Sequence, residues 1–311
     1  MNSFSIIISS VILSIVFILF FYSFFLRKNI VDIINDRSSH NSTATRSGGL
    51  AVFMSLFLIS VYCYINSIEI FDYSLFVPIS LMLCVGLYDD IYNLDFKLKF
   101  IFQIIAAKII IDNGLIIDNL HGILGIYELN RIIAQMITIF FIVAIINSIN
   151  FIDGIDGLAI SIIILFMSLF EMFSLTQSDF LYLSIITISS LIPLYYFNFS
   201  TKKKVFLGDS GSLFLGTLVS VYVIYILSNN YIIKPEFDLH KILFVISILF
   251  YPIVDIVRVF FLRLSKGMSP FKADKNHIHH LIINKTQSHW KSTLLIILSS
   301  FLFLIFVQLI F

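Results

Sequence analysis

Residues 147–159 form a polar segment between two strongly apolar ones, and their side chains could bind a metal ion. Two amides, Asn147 and Asn150, and two carboxylates, Asp153 and Asp156, each recur at a spacing of three, which would place each pair on one side of a helix. Such oxygen ligands suit magnesium, which takes one or two protein oxygens and completes its octahedron with water and substrate phosphate. A capped loop between helices is the alternative for an isolated segment, and the other polar segments decide against it.

Two further acidic positions are candidates for the same chemistry. Asp89 and Asp90 are adjacent at the end of an apolar run. Neighbouring carboxylates at a membrane boundary repel each other unless a cation or a shared proton relieves them, so the pair indicates a metal site or a proton acceptor, with a solvated loop as the alternative. Asp209 lies between Gly208 and Gly211 just before another apolar run. It is a candidate metal ligand, since the alternative, a helix N-cap, does not need the two glycines.

Basic and imidazole side chains that could hold phosphate oxygens come in three further segments. Arg46 precedes Gly48 and Gly49, whose amides at a helix start suit an approaching phosphate. Together with residues 37–40, this segment could equally be a basic cytoplasmic loop that binds no phosphate. A lysine run ending at Lys204 follows Asn198. The third segment, after the polar residues 269–275, contains the imidazoles His277, His279 and His280. Because no cysteine is near them and lysine and arginine are, diphosphate binding fits better than a closed zinc site.

The composition identifies a membrane protein that crosses the bilayer several times. Hydrophobic residues make up 59% of the 311 residues and charged residues 13%, and the mean hydropathy is +1.00, far outside the range of soluble domains. The formal net charge of +1 gives no support for nucleic-acid binding, which needs clustered basic residues on a soluble face. Cys63 and Cys84 lie in apolar runs without other ligands nearby, so they are predicted to be packing residues.

Ten apolar runs are long enough to be membrane helices, which predicts an all-α polytopic protein with one membrane-embedded domain, residues 1–311. The runs cover residues 4–26, 49–66, 73–88, 99–112, 132–149, 157–175, 180–197, 212–228, 241–262 and 292–310. Pro252 is expected to kink the ninth helix, and residues 113–130 to form a small external hairpin. Lys108, inside the fourth run, is expected to pair with an acid or to extend toward water.

The basic residues predict which side of the membrane each loop faces. Arg27 and Lys28 follow the first run directly, and basic residues flank the cytoplasmic side of spans. Both termini are therefore predicted to lie outside, with residues 27–48, 89–98, 150–156, 198–211 and 263–291 in the cytoplasm. The candidate site residues fall in or beside these segments, so we expect them to converge at one membrane face.

Four motifs together resemble those of the polyprenyl-phosphate N-acetylhexosamine-1-phosphate transferases, the WecA/MraY-type glycosyltransferase family 4. They are Asp89-Asp90, Asn147-x-x-Asn-Phe-x-Asp-Gly-x-Asp-Gly-Leu158, Phe206-Leu-Gly-Asp-Ser-Gly-Ser212 and Asn276-His-Ile-His-His280. The resemblance covers residues 37–281 in the family's order. It implies a multi-span enzyme of the bacterial inner membrane that joins undecaprenyl phosphate to a UDP-sugar at the cytoplasmic face, releasing UMP and leaving a lipid-linked diphosphate sugar. It also implies a Mg²⁺ cofactor, for which Mn²⁺ is expected to substitute.

The resemblance assigns a role to each candidate residue. Asp209 is similar to the family's magnesium ligand and Asn150 to the amide that assists it, while Asp89 and Asp90 resemble the acidic pair proposed to bind or deprotonate the lipid phosphate. Residues implied to hold the nucleotide are Asp153, Asp156 and Phe206, with Phe206 stacking on uracil. Residues expected around the diphosphate and sugar are Arg46, Asn198, Lys204, His277, His279 and His280. Thr45 and Ser47 stand where the family usually has a proline and a third glycine, which leaves the detailed role of the arginine loop open.

The histidine motif resembles the branch that makes primers for O-antigen, enterobacterial common antigen or teichoic acid rather than the muramoyl-pentapeptide branch. The implied partners are a UDP-N-acetylhexosamine, undecaprenyl phosphate and membrane lipid, with a homodimer left open. A cation- or proton-coupled transporter is the alternative from another class. Transporters place their coupling acids near the bilayer midplane on broken helices, whereas these acids gather at the ends of the predicted spans.

Overall fold

The computed structural model describes residues 3–32, 43–120, 122, 125–174, 178–228, 241–268 and 276–310. Residues 37–40 and 269–275, which the sequence predicts to belong to polar loops, lie outside this part of the chain. The helices are α1 (Ser3–Arg27), α2 (Gly48–Ile65), α3 (Phe76–Tyr92), α4 (Phe96–Asp112), α5 (Arg131–Ile152), α6 (Leu158–Phe173), α7 (Leu181–Phe199), α8 (Gly208–Leu227), α9 (Lys241–Ile248), α10 (Phe250–Ser265), α11 (Ile278–Thr286) and α12 (His289–Ile310). The prediction of an all-α membrane protein is confirmed.

The predicted count of ten spans is not confirmed, although a helix is found in every predicted run. In the described residues, seven helices are long and apolar enough to cross a membrane, and α9 with α10 would make an eighth. Helix α4 has 17 residues and α6 has 16, so both fall short of the 18 or more residues of the seven segments that are long enough to span. Lys108 of α4 forms an exposed ion pair with Asp112 one turn further on, as expected for a lysine at this position.

The predicted kink in the ninth run is present, and it is a full break. Helices α9 and α10 meet at an angle of 81°, and Leu249 separates them. A proline ring clashes with the carbonyl of the residue four positions earlier and cannot donate to it. For Pro252 that residue is Ile248, where α9 ends. The proline therefore accounts for the position of the break.

Helix α8 lies at the centre of the bundle, surrounded by other helices. It contacts α2, α3 and α5. In an apolar stretch of 18 residues, 94% of the residues of α8 are buried, compared with 22% for α1 and 28% for α12. Its small residues, Gly211, Ser212, Gly216, Thr217 and Ser220, allow neighbouring backbones to come close, which is the main source of helix association where lipid and side chains are equally apolar. The outer helices expose phenylalanine and leucine side chains instead.

A short parallel pair of strands joins two distant parts of the chain just outside the helices. Strand β1 (Ala44–Thr45) pairs with β2 (Lys204–Val205). The pairing continues beyond the strands, because Phe206 N–H donates to the carbonyl of Thr45, and Gly48 N–H donates to that of Phe206. The segment before α2 is thereby fixed beside the segment before α8. Elsewhere, the predicted hairpin is also found, since Asn119 and Glu128 form an antiparallel bridge.

Candidate active site at the amino-terminal end of helix α8

Two glycines bring α2 and α3 against the first turn of α8. A Cβ at Gly86 of α3 would overlap the carbonyl group of Asp209, and one at Gly49 of α2 would overlap the backbone of Gly211. Asp89 and Asp90 lie three and four residues after Gly86, which is the next position on the same helix face. The close approach at Gly86 therefore places both acids beside the start of α8.

Asp90 caps helix α8 from a neighbouring helix. Its Oδ1 accepts a hydrogen bond from the backbone N–H of Asp209, and its Oδ2 accepts one from Ser210, both at 2.9 Å. Leu207, at the N-cap position, makes no side-chain cap of its own, so the first amides of α8 need an outside acceptor. The Asp90 side chain has no exposed surface. Both of its oxygens are thus engaged in holding the backbone that carries Asp209.

Asp89 has different partners, although it is the next residue in the chain. Its Oδ1 accepts from the backbone N–H of Leu94 at 2.5 Å, and its Oδ2 forms an ion pair with Lys99 of α4. The Lys99 Nζ also lies 3.5 Å from Oδ2 of Asp209. One ammonium group therefore lies between the two carboxylates and offsets their repulsion.

Asp209 and Asn150, the two predicted metal ligands, are in contact. The Asn150 amide donates to Oδ1 of Asp209 at 2.5 Å and to the Ser212 hydroxyl at 2.8 Å. Asn150 comes from the last turn of α5, which runs along α8. About 27% of the Asp209 side chain remains exposed. The Asp209 side chain, at the centre of this group, is thus partly open to a ligand.

The donor set fits a magnesium ion that takes most of its ligands from water and substrate. The described residues contain no group of three or more His, Cys, Asp or Glu side chains that could enclose a metal by themselves. They do present the exposed carboxylate of Asp209 with an amide beside it, and the carboxylate of Asp89 across Lys99. Magnesium is commonly bound through one or two carboxylates together with substrate phosphates, which is the arrangement that these residues allow.

Arg46 extends this charged group toward β1. Its Nη2 donates to Oδ1 of Asp32 at 2.5 Å, and its Nη1 lies 4.0 Å from Oδ1 of Asp90. Burial opposes the charge on the guanidinium, but the nearby Asp32 and Asp90 carboxylates outweigh it and raise the pKa of Arg46. The pairing of β1 with β2 places Arg46 here, close to the segment that enters α8.

The second motif region, the turn between α5 and α6, meets β2. Lys204 Nζ donates to Oδ2 of Asp156 at 2.5 Å and lies 5.4 Å from the centre of the Phe206 ring, within reach of a cation–π interaction. The pKa of the Asp153 carboxyl is well above its usual range, first because burial disfavours the charged form and then because Asp209 is near. The turn and the α8 site are therefore electrostatically connected.

Asn198 ties the same turn to the lysine segment. Its Oδ1 accepts from the backbone N–H of Gly157 at 2.5 Å, and its amide donates to the carbonyl of Val205 at 3.0 Å. The side chain is buried, with 3% of the residue exposed. Both polar groups of the Asn198 side chain thus bind backbone atoms in this structure. Asn198 would therefore affect sugar and diphosphate binding indirectly, by fixing the two segments that it joins.

The three histidines lie next to this turn but differ in exposure. His277 is buried and its Nδ1 lies 2.6 Å from Oδ2 of Asp255. His279 is fully buried, its Nδ1 lies 3.0 Å from the Tyr251 hydroxyl, and a Cβ at Gly154 would overlap its Nε2. Burial and the neighbouring His280 lower the pKa of His279 to about 3. His280 is half-buried and, by exposure, is the histidine best placed to meet a ligand.

A small, largely apolar cavity of about 60 Å³ opens between α5 and α10 beside the histidines. Phe151, Ile256, Val259 and Phe260 line its apolar part, and Asn147, Arg263 and His277 line its polar part. The Asn147 amide is fixed by Gln103 of α4 through two hydrogen bonds. The cavity thus combines an apolar lining with a polar end next to the histidines.

The structure brings the predicted residues together in three connected groups, around Asp209, Asp156 and His279. Several contributors had no assigned role in the sequence: Lys99, which bridges two acids; Gly86, which permits the approach of α3; and Asp32, which holds Arg46. The spacing of three residues between Gly86 and Asp89 could have indicated, from the sequence alone, that α3 packs closely against another helix next to the acids. Nothing in the sequence pairs Asp32 with Arg46, because β1 and the segment around residue 32 meet only in the fold.

Comparison with known proteins agrees with the four motifs. The profile of glycosyl transferase family 4 matches residues 72–227. A Bacillus subtilis protein described as a probable undecaprenyl-phosphate N-acetylglucosaminyl 1-phosphate transferase is 32% identical over 281 residues, which are 88% of this chain and 75% of that protein. The undecaprenyl-phosphate alpha-N-acetylglucosaminyl 1-phosphate transferase of Haemophilus influenzae is 31% identical over 278 residues, 86% of this chain and 75% of the relative.

A third relative has a different lipid in its name. The decaprenyl-phosphate N-acetylglucosaminephosphotransferase of Mycobacterium tuberculosis is 30% identical over 290 residues, 85% of this chain and 71% of that protein. These relatives align with most of the chain, and the residues that the family profile matches include α3, α5 and α8. By its sequence and by the similarity of these relatives, the chain belongs to glycosyl transferase family 4.

Proposed function

We propose that this membrane protein transfers N-acetylglucosamine 1-phosphate from UDP-N-acetylglucosamine to undecaprenyl phosphate. The products are undecaprenyl-diphosphate N-acetylglucosamine and UMP, and the lipid product would begin the assembly of a cell-surface polysaccharide. The observation that carries the proposal is the group around Asp209, where an exposed carboxylate, an amide and a lysine-bridged second carboxylate meet at a helix start. The names of the three relatives specify this sugar, and two of them specify this lipid.

The reaction needs alignment and charge neutralisation more than covalent help from the protein. An oxygen of the lipid phosphate attacks the phosphorus attached to the sugar, and the bond from that phosphorus to the bridging oxygen breaks as UMP leaves. Asp209, with Asn150 beside it, would hold the magnesium ion. A bound divalent ion neutralises charge on the diphosphate and orients it for in-line attack. Manganese, which also accepts oxygen ligands, would substitute.

The two adjacent acids have separate roles in this scheme. Asp89, which faces Lys99 and Asp209, would receive the lipid phosphate and its proton. Asp90 holds the first turn of α8 through both oxygens, so it would position Asp209. Lys99 would move from the acids to the incoming phosphate oxygens, because a lysine offers three donors to any nearby anion.

The nucleotide would bind over the turn between α5 and α6. Asp153 and Asp156 come from this turn, and Phe206 lies beside it, half-buried, with a ring face that could stack on uracil. Arg46, Lys204 and His280 surround the region where the diphosphate would lie. Asn198, His277 and His279 support it through the buried contacts described above.

The lipid would enter sideways from the membrane. The cavity between α5 and α10 has an apolar lining and a polar end formed by Asn147, Arg263 and His277. A prenyl chain suits the apolar part and a phosphate suits the cationic end. Lateral entry lets the lipid keep its chain in the bilayer while its headgroup reaches the site.

The site would face the cytoplasm of a bacterial inner membrane. Arg46, Lys99 and Lys204 are concentrated at this end of the bundle, and basic residues mark the cytoplasmic side. A reporter fused after residue 40 should read as cytoplasmic, and one fused near residue 120 as external. A cytoplasmic signal near residue 120 would reverse the assigned orientation.

The activity is tested with purified protein, undecaprenyl phosphate, magnesium and radiolabelled UDP-N-acetylglucosamine. We expect the label to pass into an organic-extractable lipid with stoichiometric release of UMP, and we expect both to be strongly reduced in the Asp209→Ala variant. UDP-N-acetylgalactosamine and 6-deoxy donors, offered in parallel, test the choice of sugar. Absence of UMP release with every donor would contradict the proposal. None of the described contacts favours a transporter, because the carboxylates around Asp209 gather at one end of the bundle.

A further inference from the structure

The turn between α5 and α6 is held by the last helix of the chain. The backbone N–H of Asp156 donates to Nδ1 of His289 at 3.0 Å, and the Thr293 hydroxyl donates to the carbonyl oxygen of Asp156 at 2.9 Å. His289 and Thr293 are four residues apart and so lie on one face of α12. Both backbone polar groups of Asp156 are therefore bound by α12.

Asp156 is also fixed through its side chain. Its carboxylate accepts from Lys204 at 2.5 Å, and only 8% of the residue is exposed. Since a buried backbone group without a partner is costly, the two contacts from α12 are what allow the turn to lie this deep. Three separate elements, α12, β2 and the turn itself, meet at this one residue.

The next residue in the turn is held as firmly. Gly157 has a φ of +75°, and a Cβ there would overlap the Phe199 ring, so the position requires glycine. The Phe199 ring in turn packs edge-to-face on Trp290, with 5.9 Å between ring centres. Trp290 is next to His289 in α12, so the first turn of α12 supports the turn directly through His289 and indirectly through Phe199.

We propose that His289 and Thr293 are positioning residues for the nucleotide donor. By binding the backbone of Asp156, they set the path of the turn and thereby the places of the Asp153 and Asp156 carboxylates. This inference rests on the proposed function, because it takes those carboxylates to face the donor. Both residues lie beyond residues 72–227, which the family profile matches, and outside the four sequence motifs.

The positioning role makes a different prediction from a purely structural one. A structural anchor would change stability and would alter all kinetic constants together. A residue that positions only the donor side of the site should raise KM for the UDP-sugar and leave KM for undecaprenyl phosphate unchanged. The lipid side depends on α3, α4, α10 and the cavity-lining residues of α5, and His289 and Thr293 contact none of these in the hydrogen bonds described above.

The test compares four single variants, and the double variant that combines His289→Ala with Thr293→Val, in detergent or nanodiscs. His289→Ala and Thr293→Val each remove one hydrogen bond to Asp156. His289→Asn retains an acceptor, because Oδ1 of asparagine occupies nearly the place of Nδ1 of histidine. Ser300→Ala is the matched control, since this buried hydroxyl on the same helix bonds only within it, to Ile296. For each, KM for both substrates, kcat, UMP binding and thermal stability are measured.

We expect His289→Ala and Thr293→Val to raise KM for the UDP-sugar and the Kd for UMP by about 3- to 10-fold, the usual effect of one hydrogen bond. His289→Asn should recover most of the loss, and Ser300→Ala should match the unmodified protein. The double variant should lose less than the product of the single effects, because both side chains hold the backbone of the same residue.

Two kinds of failure are distinguishable. If the unmodified protein neither binds UMP nor releases it from a UDP-sugar, the proposed function is wrong. If it does both, but His289→Ala and Thr293→Val have unchanged donor KM, the positioning role is wrong. A parallel rise in KM for both substrates with loss of stability would also overturn it in favour of a structural anchor.

Discussion

The two ends of α8 both lie beside carboxylates that are at least partly buried, but the partners of those carboxylates differ. At the amino-terminal end, Asp89 and Asp209 share Lys99, and Asp90 lies near Arg46. At the carboxyl-terminal end, Glu171 of α6 accepts hydrogen bonds from the hydroxyls of Ser178 and Ser184. No cation contacts Glu171 within the part of the chain that the structure describes.

The packing around the two ends also differs. Tyr222 is fully buried near the carboxyl-terminal end, where its hydroxyl shares a hydrogen bond with Ser184 and its ring contacts Phe170 and Phe180. At the other end, glycine contacts bring backbones together and leave the Asp209 carboxylate partly exposed. The comparison indicates that the first turn of α8 is arranged to hold charge beside an opening, whereas its last turns are arranged for packing.

The largest effect is expected for Asp209. Asp209→Ala removes the exposed carboxylate that would hold magnesium, so we expect kcat/KM to fall by roughly 100- to 1,000-fold, the size of effect seen when a group that stabilises transition-state charge is lost. UMP release across a magnesium series measures this. The matched control at the other end of α8 is Glu171→Gln, which should stay within about threefold; equal losses in the two variants would abolish the distinction between the ends.

The second-largest effect is expected for substitutions of Asp90, because its carboxylate caps the backbone that carries Asp209. Asp90→Ala removes both acceptors, for a stability loss of about 1–2 kcal/mol, and should also raise the magnesium concentration needed for half-maximal rate. Asp90→Asn retains one acceptor and should be intermediate in both. Thermal unfolding and magnesium titrations check this. An Asp90→Ala protein with a normal magnesium requirement would show that the cap does not position Asp209.

Lys99 tests whether the shared ammonium group matters at the amino-terminal end. Lys99→Met keeps the aliphatic stem but leaves Asp89 and Asp209 without the charge between them, so we expect about a tenfold loss of kcat, with partial recovery in Lys99→Arg. The rate at saturating substrates is the measurement. The exposed Lys108 of the same helix supplies the control, and Lys108→Met should be close to the unmodified protein.

A substitution at the carboxyl-terminal end of α8 should change stability but not catalysis. Tyr222→Phe removes a buried hydroxyl bonded to Ser184 and should lower the free energy of unfolding by about 1 kcal/mol, with no change in either KM. Denaturation and steady-state kinetics on the same preparation check both points. A raised donor KM in Tyr222→Phe would mean that the two ends of α8 are coupled.

The last prediction concerns acid stability near the histidines. His279 has its pKa lowered to about 3, below the ordinary value near 6.5, so the unfolded chain takes up a proton that the folded protein does not. Stability is therefore fully present above about pH 6.5 and falls as the pH decreases toward 3. Melting temperatures between pH 7 and 4 should fall less steeply for His279→Asn. An unchanged slope would show that His279 is not the group responsible.

Much of the architecture could be predicted from the sequence because the membrane restricts what a chain can form. Apolar runs must become helices, since lipid offers no partner for backbone polar groups, and a helix is found in each of the ten predicted runs. Pro252 marked the broken ninth helix for an equally local reason. The number of helices able to span the bilayer was less predictable, because α4 with 17 residues and α6 with 16 fall short of the 18 or more residues of the segments long enough to span.

The residue types of the site were also readable from the sequence, but their partners were not. Asp89 and Asp90 look equivalent in the chain, and only the approach of α3 to α8 at Gly86 makes one a cap and the other the partner of Lys99. The contacts of His289 and Thr293 with Asp156 join residues more than 130 positions apart. Local sequence determines which segments are helical and which are charged, whereas contacts between distant segments depend on how the helices pack, and packing is a property of the whole bundle.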